Sequence, residues 1–196
     1  RIEEVAILTA ASGTDSHFTH LQLDARRYLR FGPSSRLALR LFTAGSVDGD
    51  ALPAQRQHAL GGEGSLPGFP LFAQDCGART ALIPLRDDLA YPYYGCDRVA
   101  LVQLEYQASF PYARKLGDRL GLGFDLARTI RWALFFDAGR AWIEPDARTG
   151  RTGGDNDFFA DTGLGVRLGP LGIYGAIPLS GRGHDFNLFF RIGQRF

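Results

Sequence analysis

Apolar and polar residues alternate along much of this chain. From Thr19 onward, Leu21, Leu23, Ala25, Leu29 and Phe31 share one face, while His20, Gln22, Asp24, Arg26, Tyr28 and Arg30 share the other. From Arg98, one face reads Ala100, Val102, Leu104, Tyr106, Ala108 and Phe110. The opposite face reads Leu101, Gln103, Glu105, Gln107 and Ser109. Near the end, Phe186, Leu188, Phe190, Ile192 and Phe196 stand on one side, and Asn187, Arg191, Gly193 and Arg195 on the other, joined by Phe189. A two-residue period is the signature of β-strands, whose successive side chains point to opposite faces. The pattern predicts eight strands, at about 2–10, 17–31, 35–45, 98–110, 129–142, 158–168, 171–180 and 186–196.

Alternation alone fits two architectures. In a soluble sandwich or lipocalin the apolar face points inward. In a membrane barrel it points outward to lipid and the polar face lines the lumen. Strand length separates them. Several segments run to ten residues or more, near the roughly 9–11 of a tilted membrane strand and above the usual five or six of soluble strands. The connections alternate as well. Gly32-Pro33-Ser34-Ser35 and Gly169-Pro170 read as tight turns, whereas 46–97 and 143–157 are long and polar or Gly-rich. Short turns at one end and long loops at the other is the outer-membrane pattern. The long 111–128 connection is an exception. Its Leu120, Leu122, Phe124 and Leu126 alternate, which extends the neighbouring strands past the membrane. The fold expected is all-β: an antiparallel transmembrane β-barrel domain over 1–196, with about eight strands and a long Gly/Pro-rich extracellular or lumenal loop at about 46–97.

Composition narrows the picture further. The chain is 45% hydrophobic and 22% charged, which by itself resembles a soluble protein. Yet 25 residues are Gly and 15 are Phe, a bias that argues against an ordinary soluble protein. Met is absent, which points to a mature form or an excised segment. No apolar run reaches the roughly 18 residues that a membrane helix needs, so a helical membrane protein is not expected. The formal net charge of +1 gives no support to nucleic acid as a partner. In an exported protein, Cys76 and Cys96 are expected to pair and close a loop.

Candidate chemistry is sparse. The Gly-rich run 61–68 lacks the Lys-Ser/Thr pair of a phosphate loop. His17 and His20 fall on opposite faces of a strand and do not share a metal. Ser180, His184 and Asp185 lie close together without the spacing of a catalytic triad. The acidic group Asp155, Asn156, Asp157 and Asp161 lacks calcium-loop spacing and reads as a solvated turn. No cofactor, metal site or enzymatic activity is expected. Trp132, Trp142, Tyr91, Tyr93 and Tyr94 suit an interfacial aromatic girdle, Trp142 most of all because it sits at a strand end.

Four motifs, in order, carry a family resemblance. They are Gly61-Gly62-Glu63-Gly64-Ser65-Leu66-Pro67-Gly68-Phe69, then Phe135-Phe136-Asp137-Ala138-Gly139, then Gly163 to Leu171 with Ala176-Ile177-Pro178-Leu179, and finally Phe189-Phe190-Arg191-Ile192-Gly193-Gln194-Arg195-Phe196. Together they resemble the BamA-type bacterial surface-antigen superfamily, which includes barrel-assembly, translocation-assembly and two-partner-secretion barrels. The match covers about 60–196 by motif and the rest by strand pattern.

The resemblance implies a bacterial outer-membrane location, with outer-membrane lipid and the barrel-assembly machinery as partners. It also implies outer-membrane or secreted proteins as substrates. It makes Gly61, Gly62, Leu66, Gly68 and Phe69 a loop that folds into the lumen. It makes Phe190, Ile192, Gly193 and Phe196 a C-terminal assembly signal. The family's loop carries Arg where this chain has Pro67, and that Arg reaches a lumenal acid that corresponds to Asp137. Arg167, Arg191 or Arg79 are then the expected partners of Asp137, with Glu105 a second lumenal acid. The family barrel has sixteen strands. This chain has length for about half, as the second half of a larger barrel or as an eight-stranded relative closed on itself. Gly193 near the end of the last strand suits weak pairing of the first and last strands. The alternatives are a membrane anchor or small closed barrel without translocation, and, more remotely, a soluble ligand-binding β-barrel.

Overall fold

A computed structural model describes the backbone of residues 2–12 and, in full, residues 18–47, 52, 56–74, 76, 95–109, 130–143, 158–180 and 186–196. The strands are β1 (Ile2–Ser12), β2 (Thr19–Phe31), β3 (Ser35–Ser46), β4 (Arg98–Ser109), β5 (Ile130–Trp142), β6 (Phe159–Leu168), β7 (Leu171–Pro178) and β8 (Asn187–Ile192). They form one sheet in sequence order, every neighbouring pair antiparallel. Among the described residues β1 pairs only with β2 and β8 only with β7, so both are edges.

Seven strands match their expected spans within two residues, because alternation over ten or more positions fixes a strand well. The eighth differs: it stops at Ile192, four residues short of the expected end. Gly193 has φ +93°, a left-handed conformation that costs glycine little and breaks the ladder. The side chain of Arg191 then donates to the carbonyls of Gln194 and Arg195 at 3.2 and 2.7 Å, holding the turned-in segment. Phe196, expected to face outward with Phe190, is instead buried.

The sheet has a turn end, with the β2–β3 and β6–β7 turns, and a loop end, where β3 leads to β4 through residues 47–97. Its two faces differ sharply. Outward stand Leu164, 63% exposed, Phe190, 68%, and Ile192, 81%, with Leu134, Val166 and Ile173 between them. Inward stand Gln103, Glu105 and Gln107 of β4, Asp137 of β5 and Asp161 of β6, all 2% exposed or less. Charged exceptions on the outward face are Arg27 of β2, in register with Glu4 of β1, and, toward the loop end, Arg98 of β4 and Arg140 of β5. Leaving such a face in water forgoes roughly 25 cal/mol per Å² of apolar surface, so it calls for an apolar solvent.

The inner face is layered. At the loop end, Leu60, Leu66 and Phe69 pack with Val99, Leu101, Ala141 and Phe159. Beside β7 and β8, Phe135, Tyr174 and Phe189 pack with Ala133 and Ala176, and the Tyr174 and Phe189 rings stack at 5.2 Å. Asp137 and Asp161, in register with each other, form an ionic layer between these two apolar layers.

Candidate functional site

The β3–β4 connection doubles back onto the inner face. Leu60 bridges Gln74, and His58 exchanges backbone hydrogen bonds with Cys96 at 2.8 and 2.6 Å. Cys76 and Cys96 are joined by a disulfide, with Cα atoms 4.9 Å apart. Between these ties, residues 61–70 form a compact lobe. The Phe69 carbonyl accepts from Gly62 N–H at 3.1 Å, and the Ser65 hydroxyl donates to the Gly61 carbonyl at 3.1 Å.

The lobe tip is fastened to three strands. The Phe69 ring stacks on Phe159 of β6 at 4.8 Å. Gly68 N–H donates to Asp161 Oδ2 at 2.5 Å. The Gln103 side chain of β4 donates to the Ser65 carbonyl at 2.9 Å, and Asn187 of β8 donates to the Pro67 carbonyl at 2.7 Å. Gly68 is required by space: a Cβ there would lie 2.7 Å from Asp161 Cβ and 3.0 Å from the Ile177 carbonyl carbon. Gly61, Gly62, Leu66, Gly68 and Phe69 thus lie together in one lobe, with Leu66 and Phe69 buried. Pro67 supplies no cation to Asp137.

Asp137 is buried on β5, and its cation is Arg195 rather than Arg167 or Arg191. The guanidinium of Arg195 donates to Asp137 Oδ2, lies 3.8 Å from Glu105 Oε2 and covers the Phe135 ring at 4.0 Å. Arg167 instead donates to the Gly193 carbonyl at 2.8 Å, and Arg191 to the Glu63 carbonyl at 3.0 Å. Arg79 lies outside the described residues. The reason is the break at Gly193. Residues 194–196 leave the sheet and lie against the inner face, carrying Arg195 into the ionic layer. There the terminal Phe196 carbonyl accepts from Tyr28 Oη of β2 at 2.7 Å. Residues 193–196 therefore span from β8 to β2 across the interior.

Alternation did not single out Arg195, because it treats the last strand as continuous to Phe196. Asp161 was also missed as a lumenal acid. Grouped by sequence with Asp155, Asn156 and Asp157 as a solvated loop, it is instead on β6, fully buried, and in register with Asp137. Its signal was available: Phe159, Asp161 and Gly163 alternate with Ala160, Thr162 and Leu164. A second ionic group links β2 and β3, where Asp24 binds Arg26 at 2.8 Å and Arg40 at 2.9 Å. Ser180 Oγ accepts from Ala160 N–H at 2.8 Å and donates to the Phe158 carbonyl at 3.0 Å, so its role there is to close a strand end. His17, His184, Asp185, Asp155, Asn156, Asp157, Tyr91, Tyr93, Tyr94 and the 111–128 connection lie outside the described residues. His20 Nε2 meets His58 Nε2 at 2.9 Å. Among the described residues no group of three metal-ligating side chains occurs.

The Omp85 superfamily domain matches residues 4–196, nearly the whole chain. No curated protein matches. Among solved structures, BamA from Haemophilus ducreyi lacking POTRA domains 1–3 superposes with a TM-score of 0.66 at 16% identity. That superposition covers 96% of this chain and 38% of the other, so the chain spans under two fifths of that structure. An eight-stranded antiparallel sheet whose first and last strands do not pair with each other among the described residues fits part of such a barrel. The family match runs through the loop lobe, the Asp137 strand and the turned-in end alike, and on it this chain belongs to the Omp85 superfamily.

Proposed function

We propose that this chain is the barrel domain, residues 1–196, of a bacterial outer-membrane protein that inserts or exports other proteins, acting as a non-enzymatic scaffold. The observation that carries the reading is the superfamily match over 4–196. Membrane embedding is supported by the inverted faces, with Phe190 and Ile192 outward and Glu105 and Asp137 enclosed. A soluble ligand-binding barrel requires the opposite sense. Trp132 and Trp142 add support. They share the outward face of β5, ten residues or about 33 Å apart along the strand. At the usual 35–45° tilt this becomes about 25 Å, the height of an outer-membrane apolar band.

Edge exposure suggests the means. Among the described residues strand β8 pairs only with β7, and an open strand edge of this kind is a template for a strand of another chain. In this reading the partners are outer-membrane lipid, the machinery that inserts the barrel, and client proteins carrying β-strands. Residues Phe190, Ile192, Gly193 and Phe196 serve as the segment recognised during assembly, and the loop lobe steadies the wall. A role as membrane anchor without translocation is the second reading, favoured by the densely packed inner face.

A photo-crosslinking side chain at Phe190, in the protein as made in cells, tests the choice. Adducts with newly made outer-membrane proteins are expected. Adducts with lipid alone, together with unchanged outer-membrane protein levels on depletion, would leave the anchor reading.

A further inference from the structure

His20 of β2 and His58 of the β3–β4 connection meet on the inner face at the loop end, brought together across 38 residues of sequence. Their Nε2 atoms are 2.9 Å apart, their ring centroids 5.1 Å, and their planes differ by 22°. The two rings therefore stand almost end to end, and both Nε2 atoms point into the same gap. An N–H···N contact needs one ring to accept, so at least one imidazole is neutral. Burial beside His20 lowers the His58 imidazole to about 4, which makes His58 neutral at physiological pH.

Each ring is anchored by a different part of the fold. His20 is buried on β2, directly opposite Ser46 of β3. His58 exchanges backbone hydrogen bonds with Cys96, itself fixed by the disulfide to Cys76, and its ring lies edge-on to Phe42 at 6.3 Å. Neutral imidazole nitrogens held in one gap are the donors that zinc takes at about 2.0–2.1 Å. A tetrahedral ion at that distance sets its two nitrogens about 3.3 Å apart. The pair then parts by only about 0.4 Å and tilts, and His58, partly exposed on the loop side, has room to do so. The donor ring moves its proton from Nε2 to Nδ1, so both rings stay neutral and no proton leaves the pair.

We propose that His20 and His58 are the protein ligands of a zinc site, with water in the remaining positions. Ser46 adds an independent sign of a polar guest: its Oγ is buried on the same face, across from His20, and makes no hydrogen bond among the described residues. A hydroxyl so placed suits a metal-bound water. Arg56 sends positive charge toward His20, but it is exposed, where water and salt screen it. With two protein ligands instead of the four of a structural site, the ion is an exchangeable clip. It ties the root of the lobe to β2, a role separate from handling client proteins.

Calorimetric titration with zinc chloride tests this, on the full chain folded in uncharged detergent near neutral pH and purified without a histidine tag. Saturable binding of one ion per chain is expected. H58Q and H20Q each remove one ligand, and each is expected to weaken binding by more than the roughly tenfold that losing a group behind a ligand costs. H184Q is expected to bind as the parent does. Zinc is also expected to slow protease cleavage within residues 57–76 in the parent and not in H58Q. If the variants do not fold, the parent alone carries the test: with copper(II) as the probe, its spin-resonance spectrum is expected to show coupling to two imidazole nitrogens. Absence of saturable zinc binding overturns the proposal. So does undiminished binding in H58Q and H20Q, a loss in H184Q as large as theirs, or coupling to fewer than two imidazoles.

Discussion

Arg195 sits on the carboxylate of Asp137 across 58 residues of sequence, at a place where both side chains are almost wholly enclosed. Removing one member of a buried pair leaves the other uncompensated, at a cost of about 3–5 kcal/mol. Arg195→Met is therefore expected to lower the urea midpoint of the folded chain clearly in detergent. Pairing it with Asp137→Asn is expected to recover part of the loss. Equal midpoints for the single variant and the parent would show that the contact contributes nothing.

Gly68 predicts a second effect. A methyl group at this position meets Asp161 Cβ and the Ile177 backbone. Gly68→Ala is expected to lift the lobe, at about 1–3 kcal/mol of overpacking. The reporter is protease cleavage within residues 57–76, faster in the variant. Cleavage at the parental rate would mean that the lobe absorbs the methyl without moving.

The loop is also expected to respond to acid. Burial, with His20 beside it, lowers the His58 imidazole from the usual 6.5 to about 4. Folding therefore favours its neutral form. The stability this contributes is complete above pH 6.5 and fades as the pH falls toward 4. Loop cleavage is expected to accelerate across that window, and His58→Gln to flatten the response. An identical pH profile in the two proteins would remove His58 as the cause.

The outward face gives the test of solvent. Leu164→Arg places a charge at an exposed position of β6. Facing lipid, it is expected to destabilise the refolded protein in vesicles by about 2–4 kcal/mol. Facing water, a surface change of this kind falls within about 0.5 kcal/mol. The difference is read from folding titrations in vesicles.

How far the sequence reached depends on what each feature obeys. Strand positions follow a local period, and Leu164, Val166 and Leu168 announce their face without help from distant residues. Asp137 stands inward because Phe136 stands outward, a relation between neighbours. The partner of Asp137 was hidden, since it depends on Gly193 turning the chain out of the sheet, and a period of two has no way to announce its own end. The meeting of His20 with His58, and of Gly68 with Asp161, depends on a long connection folding back, which only tertiary packing decides.

The lobe has a consequence for permeation. Leu66 and Phe69 are pressed against Val99, Leu101 and Phe159, so among the described residues that stretch of the wall is covered by hydrocarbon. An ion following β4 toward the loop end meets hydrocarbon and a disulfide before it meets bulk solvent.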